Sequence, residues 1–262
     1  MPASVQLDDF AERRGVVMVT GGSGGLGAAI CRMLAERGAD VALSYRSRQQ
    51  AAEQVVADVR ARGRAALACR VDLADERSAR SFVEVALERF GSVHTLVHAA
   101  GPRVTQVHLS KVDPPLFLRH LEQEAAGFFN VVQPLLPALR ERRGAIVAVT
   151  TAATRRFPVR DGLSAGPKAA VEALVRALAV EEGRYGVRAN CVGPGMLTDG
   201  MADELISSGE LDERALEAAR LSIPLRRFGR AADVAEAVCF LASDRAGFIS
   251  GQMLDVDGGY AA

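Results

Sequence analysis

Seven short runs rich in β-branched and aliphatic residues recur along this 262-residue chain, with longer segments between them whose apolar residues fall at helical spacing. The runs are Val16–Thr20, Val41–Tyr45, Ala65–Val71, Thr95–His98, Ala145–Thr150, Arg188–Val192 and Met253–Val256. The helical segments are Leu26–Arg37, Gln49–Arg62, Glu76–Phe90, Pro115–Arg140, Lys168–Gly183 and Ala232–Ser243. A chain that alternates strand and helix returns to its sheet in the same direction each time. The rhythm therefore predicts an α/β fold, a doubly wound seven-stranded parallel sheet with helices on both faces. Gly38, Gly63, Gly91 and Gly144 each follow a helical segment, where a left-handed cap is expected.

No repeat and no Pro/Gly/Ser-rich linker divides the chain, so residues 1–262 are expected to form a single domain. Residues 1–14, polar and charged, are expected to be a flexible arm. Residues 196–224 fit neither rhythm and are a candidate lid over a ligand. The 32 basic residues balance 32 acidic ones, which gives no electrostatic reason to expect nucleic acid or a membrane surface as a partner. Cys31, Cys69, Cys191 and Cys239 form no C-x-x-C pair, and His94, His98, His108 and His120 have no metal-ligand spacing, so no metal is expected. The N-terminus has no apolar leader run, and no window reaches the roughly 18 uncharged apolar residues of a membrane helix. A cytoplasmic location is expected.

The glycine-rich stretch Thr20-Gly21-Gly22-Ser23-Gly24-Gly25-Leu26-Gly27 follows the first strand directly and opens the first helix. In that context the backbone of Gly21, Ser23, Gly24, Gly25, Leu26 and Gly27 can come close to a pyrophosphate, and the helix N-terminus offers N–H groups to the anion. An NAD-preferring site ends its second strand with an acid for the ribose hydroxyls. Here the end reads Ser44-Tyr45-Arg46-Ser47-Arg48, without a carboxylate. Tyr45, Arg46 and Ser47 suit a 2′-phosphate, so NADP(H) is the expected cofactor.

With these residues the chain resembles the short-chain dehydrogenase/reductase family over nearly its whole length, and a Rossmann fold is implied. The family's T-G-x-x-x-G-x-G is matched by Thr20, Gly21, Gly25 and Gly27, its adenine-contacting pair by Asp72-Leu73, and its N-N-A-G, in altered form, by His98-Ala99-Ala100-Gly101. Asn190-Cys191-Val192-Gly193-Pro194-Gly195 resembles the segment that frames the nicotinamide, which implies cofactor contacts at Pro194, Gly195, Leu197 and Thr198. The stretch from Ile223 to Gly259 is similar to one that builds tetramers in the family, so a homotetramer, or a dimer, is implied.

The family's mechanism uses Asn, Ser, Tyr and Lys, the last two as Tyr-x-x-x-Lys. Lys168 matches, which implies a hydrogen bond to the nicotinamide ribose and a positive charge beneath the reacting atoms. Ser164 stands at the tyrosine position, Thr151 at the serine and Glu124 at the asparagine. The three tyrosines, Tyr45, Tyr185 and Tyr260, lie elsewhere in the chain. A phenol protonates the alkoxide left by hydride transfer far better than a serine hydroxyl does. Three chemistries tolerate the change. An enone gives an enolate that Ser164 could stabilise as oxyanion donor, as in the similar Ser-x-x-x-Lys of the 2,4-dienoyl-CoA reductase branch. An iminium needs no proton, and Glu124 or Asp161 could hold its charge. A ketone could take its proton from Glu124 or Asp161 if a carboxyl pKa is raised. Glu124 could also simply pair with Lys168. Arg103, Arg155, Arg156 and Arg160 are loop residues on the ligand side, solvated or facing an anionic substrate. The expected function is an NADPH-dependent reductase of a small organic substrate, with a non-catalytic NADPH-binding sensor as the competing class.

Overall fold

The computed structural model describes residues 8–198 and 213–262. Its seven parallel strands are β1 (Val16–Thr20), β2 (Asp40–Tyr45), β3 (Ala66–Arg70), β4 (Val93–His98), β5 (Ala145–Val149), β6 (Arg188–Pro194) and β7 (Met253–Val256), in the spatial order β3-β2-β1-β4-β5-β6-β7. The described α-helices are α1 (Gly25–Glu36), α2 (Gln49–Ala61), α3 (Glu76–Phe90), α4 (Pro114–Leu121), α5 (Gly127–Arg142), α6 (Gly162–Glu182), α7 (Glu213–Ser222) and α8 (Ala231–Ala242).

Strand periodicity sorts the core into two layers. Val17 and Val19 of β1 point toward Ile30 and Leu34 of α1, Val55 and Val59 of α2, and Val238 of α8. Val16 and Met18 point the other way, toward Phe82 of α3, Phe128 and Val131 of α5, and Val175 of α6. Each fully buried large side chain contributes roughly 1.5–3 kcal/mol relative to an exposed one, so both faces of the sheet hold their helices firmly. The chain runs outward from β1 to β3 and then returns to β4 beside β1. The carboxyl ends of β1 and β4 therefore flank the topological switch point, where open α/β sheets bind ligands. Thr20 and His98 are register partners there.

Four expectations need correction. The Pro115–Arg140 segment is not one helix. A π turn, Glu122–Ala126, interrupts it between α4 and α5, and this extra residue per turn swings Glu124 into the interior, 3% exposed. Helix α6 begins at Gly162 rather than Lys168, because burial of Leu163, Ala165 and Pro167 outweighs the poor helix propensity of its glycines and proline. Gly38, Gly63 and Gly91 take positive φ, but after α5 the left-handed residue is Arg143, φ 47°. Gly144 is needed instead for close approach, since a Cβ there would run into the carbonyl of His94. The part of the N-terminal arm that is described, residues 8–14, is tied down: Phe10 is 1% exposed and its N–H donates to the Arg37 carbonyl at 3.0 Å, while Asp9 bonds Arg37 and Arg245. Residues 1–7 lie outside the described residues, as do 199–212 of the candidate lid. The flanks of that lid are Leu197, bridged to Gly229, and α7.

No helix among the described residues is long and apolar enough to cross a membrane.

Candidate active site

The turn after β1 is shaped by backbone alone. Gly21 takes φ +69°, and its N–H donates to the Ser44 hydroxyl at 3.2 Å. A Cβ on Gly21 would stand 2.7 Å from the Ala100 Cα, across the switch point. Gly24 donates to the Gly21 carbonyl at 3.0 Å, and a Cβ on Gly27 would run into that same carbonyl oxygen. The turn thus lies flat against the first residues of α1, whose N-cap, Gly24, makes no side-chain capping bond. Gly25 is exposed, and the leading N–H groups of α1 are open to an anion. This cradle fits the pyrophosphate of a dinucleotide.

Of the other residues expected around a cofactor, Arg46 and Ser47 are exposed and Tyr45 is half-buried at the end of β2. Arg46 faces the exposed Asp72 at 3.7 Å. Leu73 is buried, its carbonyl taken by Asn130 at 2.9 Å. Ala99, Ala100 and Gly101 remain accessible in the crevice, and Gly195 and Thr198 flank its far side with the buried Pro194 and Leu197. His98 needs correction as a contact residue. It is fully buried, its Nδ1 bonded to the Thr20 hydroxyl at 2.9 Å and its ring edge-on to Phe128. Burial and the charge of Lys168 push its imidazole down to about 3, so it is neutral. It stands behind the crevice and ties the ends of β1 and β4 together.

The other half of the crevice is built from side chains. Asp161, Ser164 and Lys168 fall at i, i+3 and i+7, one face of the head of α6. The Lys168 ammonium donates to the carboxylate of Glu124, which the π turn has carried inward; the side chains are 16% and 4% exposed. Gly101 lies against this pair, its Cβ position 2.9 Å from Glu124 Oε2 and 3.3 Å from Lys168 Nζ. Burial pushes the Asp161 carboxyl above the usual range, opposed by a hydrogen bond from Gln106 and by the charge of Lys168. The Thr151 hydroxyl accepts from the Ala153 N–H at 3.2 Å and so caps the short turn after β5.

A family profile described as "Enoyl-(Acyl carrier protein) reductase" matches residues 21–261. The chain is 35% identical to a versicolorin reductase of Emericella nidulans, over 93% of this chain and 94% of the relative. It is likewise 35% identical to the 3-oxoacyl-(acyl carrier protein) reductase FabG of Staphylococcus aureus, over 92% and 96%. The chain belongs to the short-chain dehydrogenase/reductase family. A solved short-chain dehydrogenase of Burkholderia cenocepacia J2315, in complex with NADP, superposes with a TM-score of 0.86 at 33% identity, covering 95% of this chain and 98% of that one. The protein is thus an oxidoreductase of the short-chain type, and this family uses nicotinamide cofactors.

Within that family frame, sequence reasoning did not single out Gln106, whose side-chain amide donates to Asp161 Oδ1 at 3.0 Å. No motif marks it. A polar residue in the loop after β4 becomes visible only when that loop is folded across the head of α6. Nor did it pair Thr20 with His98, although both end strands that flank the switch point.

Proposed function

We propose that this enzyme is an NADPH-dependent reductase that adds hydride to an activated double bond, most broadly a ketone carbonyl of a small organic molecule, without the tyrosine acid usual in its family. The observation that carries the reading is the α6 face on which Asp161, Ser164 and Lys168 line up, with Lys168 held by the buried Glu124. The ketone reading also draws on the relatives, a versicolorin reductase and a 3-oxoacyl-(acyl carrier protein) reductase. NADP rather than NAD is supported by Arg46 at the end of β2 and by the structural neighbour in complex with NADP.

The bound reduced nicotinamide supplies the hydride. Ser164 donates a hydrogen bond to the substrate oxygen, where negative charge develops, and the Lys168 ammonium stabilises that charge. Asp161 then gives the oxygen its proton, and water returns one to the carboxylate. A ketone gains one C–H and one O–H bond in this way. An iminium substrate needs an anion free to face it. Glu124 is already paired with Lys168, which favours the carbonyl. A homotetramer belongs to the same proposal, supported by the exposed apolar side chains Val180 of α6 and Leu254 of β7.

The test is NADPH oxidation against ketones, enones and cyclic imines. Ketones are expected to turn over, and Asp161→Asn should lower turnover by about 10² while leaving dinucleotide affinity unchanged. Because the protonated carboxyl is the active form, wild-type turnover should fall as pH rises through the raised pKa of Asp161. Turnover of enones alone, with Ser164→Ala more damaging than Asp161→Asn, would move the reading to an enoyl reductase. Imine turnover in which Glu124→Gln chiefly weakens substrate binding would move it to an imine reductase. NADPH binding with no oxidation of any class would leave a non-catalytic sensor.

A further inference from the structure

Asp161 occupies the N-cap of α6, a place where aspartate normally turns its carboxylate back onto the first N–H groups of the helix. Here it does not. The cap makes no side-chain bond, and the head of the helix is closed by backbone instead, with the Ser164 and Ala165 N–H groups donating to the Asp161 carbonyl at 3.0 and 2.9 Å. The carboxyl is held from elsewhere in the chain: among the described residues its one hydrogen bond comes from Gln106 Nε2, 3.0 Å from Oδ1. The same loop makes a second contact on the next residue. The Leu109 side chain fills the space beside Gly162, where a Cβ would stand 2.6 Å from Leu109 Cγ and Cδ1. A larger residue at 162 would push the loop, and Gln106 with it, off the helix.

We propose that Gln106 is a positioning residue for proton delivery: its amide engages Asp161 Oδ1 and leaves Oδ2 as the atom that carries the transferable proton. This rests on the reading of Asp161 as the proton donor. The chemistry follows from the donor type. A side-chain amide N–H can bond a carboxylate oxygen or the carbonyl oxygen of a neutral carboxyl equally well in geometry, so the contact survives both protonation states. With Oδ1 as the acceptor in both, the proton must come and go at Oδ2. A cap, whose backbone N–H groups would favour the charged form, is not formed because Asp161 holds φ −99° and ψ 11° instead of the extended conformation of a capping residue.

The groups around Asp161 are few. Lys168, on the same helix, favours the ionised form, as does the Gln106 bond, and burial outweighs both. On the Gln106 loop, His108 is turned to the Ser110 hydroxyl at 2.9 Å. Arg160, the preceding residue, is exposed.

The experiment is the pH profile of kcat with NADPH and the best ketone of the panel, for the wild type, Gln106→Leu, Gln106→Glu and Asp161→Asn. Removing the amide takes away a bond that favours the charged form, so the alkaline limb of Gln106→Leu should move up by about one pH unit. Gln106→Glu, which adds a like charge, should move it further in the same direction. Dinucleotide affinity and thermal unfolding should stay as in the wild type, since Gln106 is a loop residue at the surface. A limb that vanishes in Asp161→Asn but stays unmoved in Gln106→Leu overturns the role of Gln106 and leaves the donor intact. A limb that persists in Asp161→Asn overturns the donor and this inference together.

Discussion

The two halves of the crevice are made in opposite ways. On the β1 side the shape comes from missing atoms: Gly21 and Gly27 let main chain lie against main chain, and the anion site is a helix end without a side-chain cap. On the α6 side the shape comes from atoms supplied at a distance, since Lys168 is set by Glu124 from a π turn 44 residues earlier and Asp161 by Gln106 from a loop 55 residues earlier. The first half should be broken by adding an atom and the second by taking atoms away.

The largest effect is expected at Lys168. On the proposed mechanism Lys168→Ala removes the charge that stabilises the substrate oxygen, and it should cut turnover by about 10³. It also leaves the Glu124 carboxylate buried without its partner, at a cost of about 3–5 kcal/mol of stability. Lys168→Ala combined with Glu124→Gln removes the orphaned charge, so it should recover much of the stability in denaturant unfolding and none of the turnover. Recovery of both would mean that the pair is only structural.

At the other half the damage comes from a single methyl. Gly27→Ala drives a Cβ into the Gly21 carbonyl, backbone against backbone, where neither side can move away cheaply. Overpacking of this kind costs about 1–3 kcal/mol, which should appear as a loss of about 10–100-fold in dinucleotide affinity, measured by fluorescence titration. Turnover at saturating cofactor should change little. A turnover defect as large as that of Lys168→Ala would show that the two halves are not separable.

The same contrast decides what could be read before the fold was known. Glycines that serve a turn sit together in sequence, because a turn is local, so Gly21 to Gly27 and the strand and helix around them announce themselves. The seven strands were legible for a similar reason: each is a short local run of aliphatic and β-branched residues, buried on both faces in β1, β4 and β5. Glu124 was visible as a residue and its pairing with Lys168 was one of the readings left open, but nothing in Pro115–Arg140 marks the π turn that rotates it inward. The start of α6 was hidden by Gly162, Gly166 and Pro167, residues that argue for a loop until the burial of Leu163 and Ala165 is known. The proline and glycines thus concealed the helical turn that puts Asp161 on one face with Ser164 and Lys168. His98 was taken for a cofactor contact on the strength of its position in the altered N-N-A-G, and only its bond to Thr20 shows that it faces inward.

The smallest expected effect lies at the outer edge of the backbone-built half, where the proposed reading gives specificity to a side chain. Arg46 is exposed, and its ion pair with Asp72, 3.7 Å apart, joins two exposed groups, so it contributes little to the free protein and leaves the guanidinium available. A 2′-phosphate placed there gains a charge-assisted bond in partly screened surroundings, which favours NADPH over NADH by about tenfold. Arg46→Asp replaces that attraction with repulsion, and the new carboxylate can accept from free ribose hydroxyls, so the preference should reverse. Because Asp72 already stands nearby, the added acid meets a like charge, and the gain for NADH should be smaller than the loss for NADPH. Titration of both cofactors against the wild type and Arg46→Asp checks this. Equal affinities in the wild type would remove Arg46 from the site, whereas a reversal accompanied by unchanged turnover with the preferred cofactor would show that cofactor choice is set apart from the chemistry at α6.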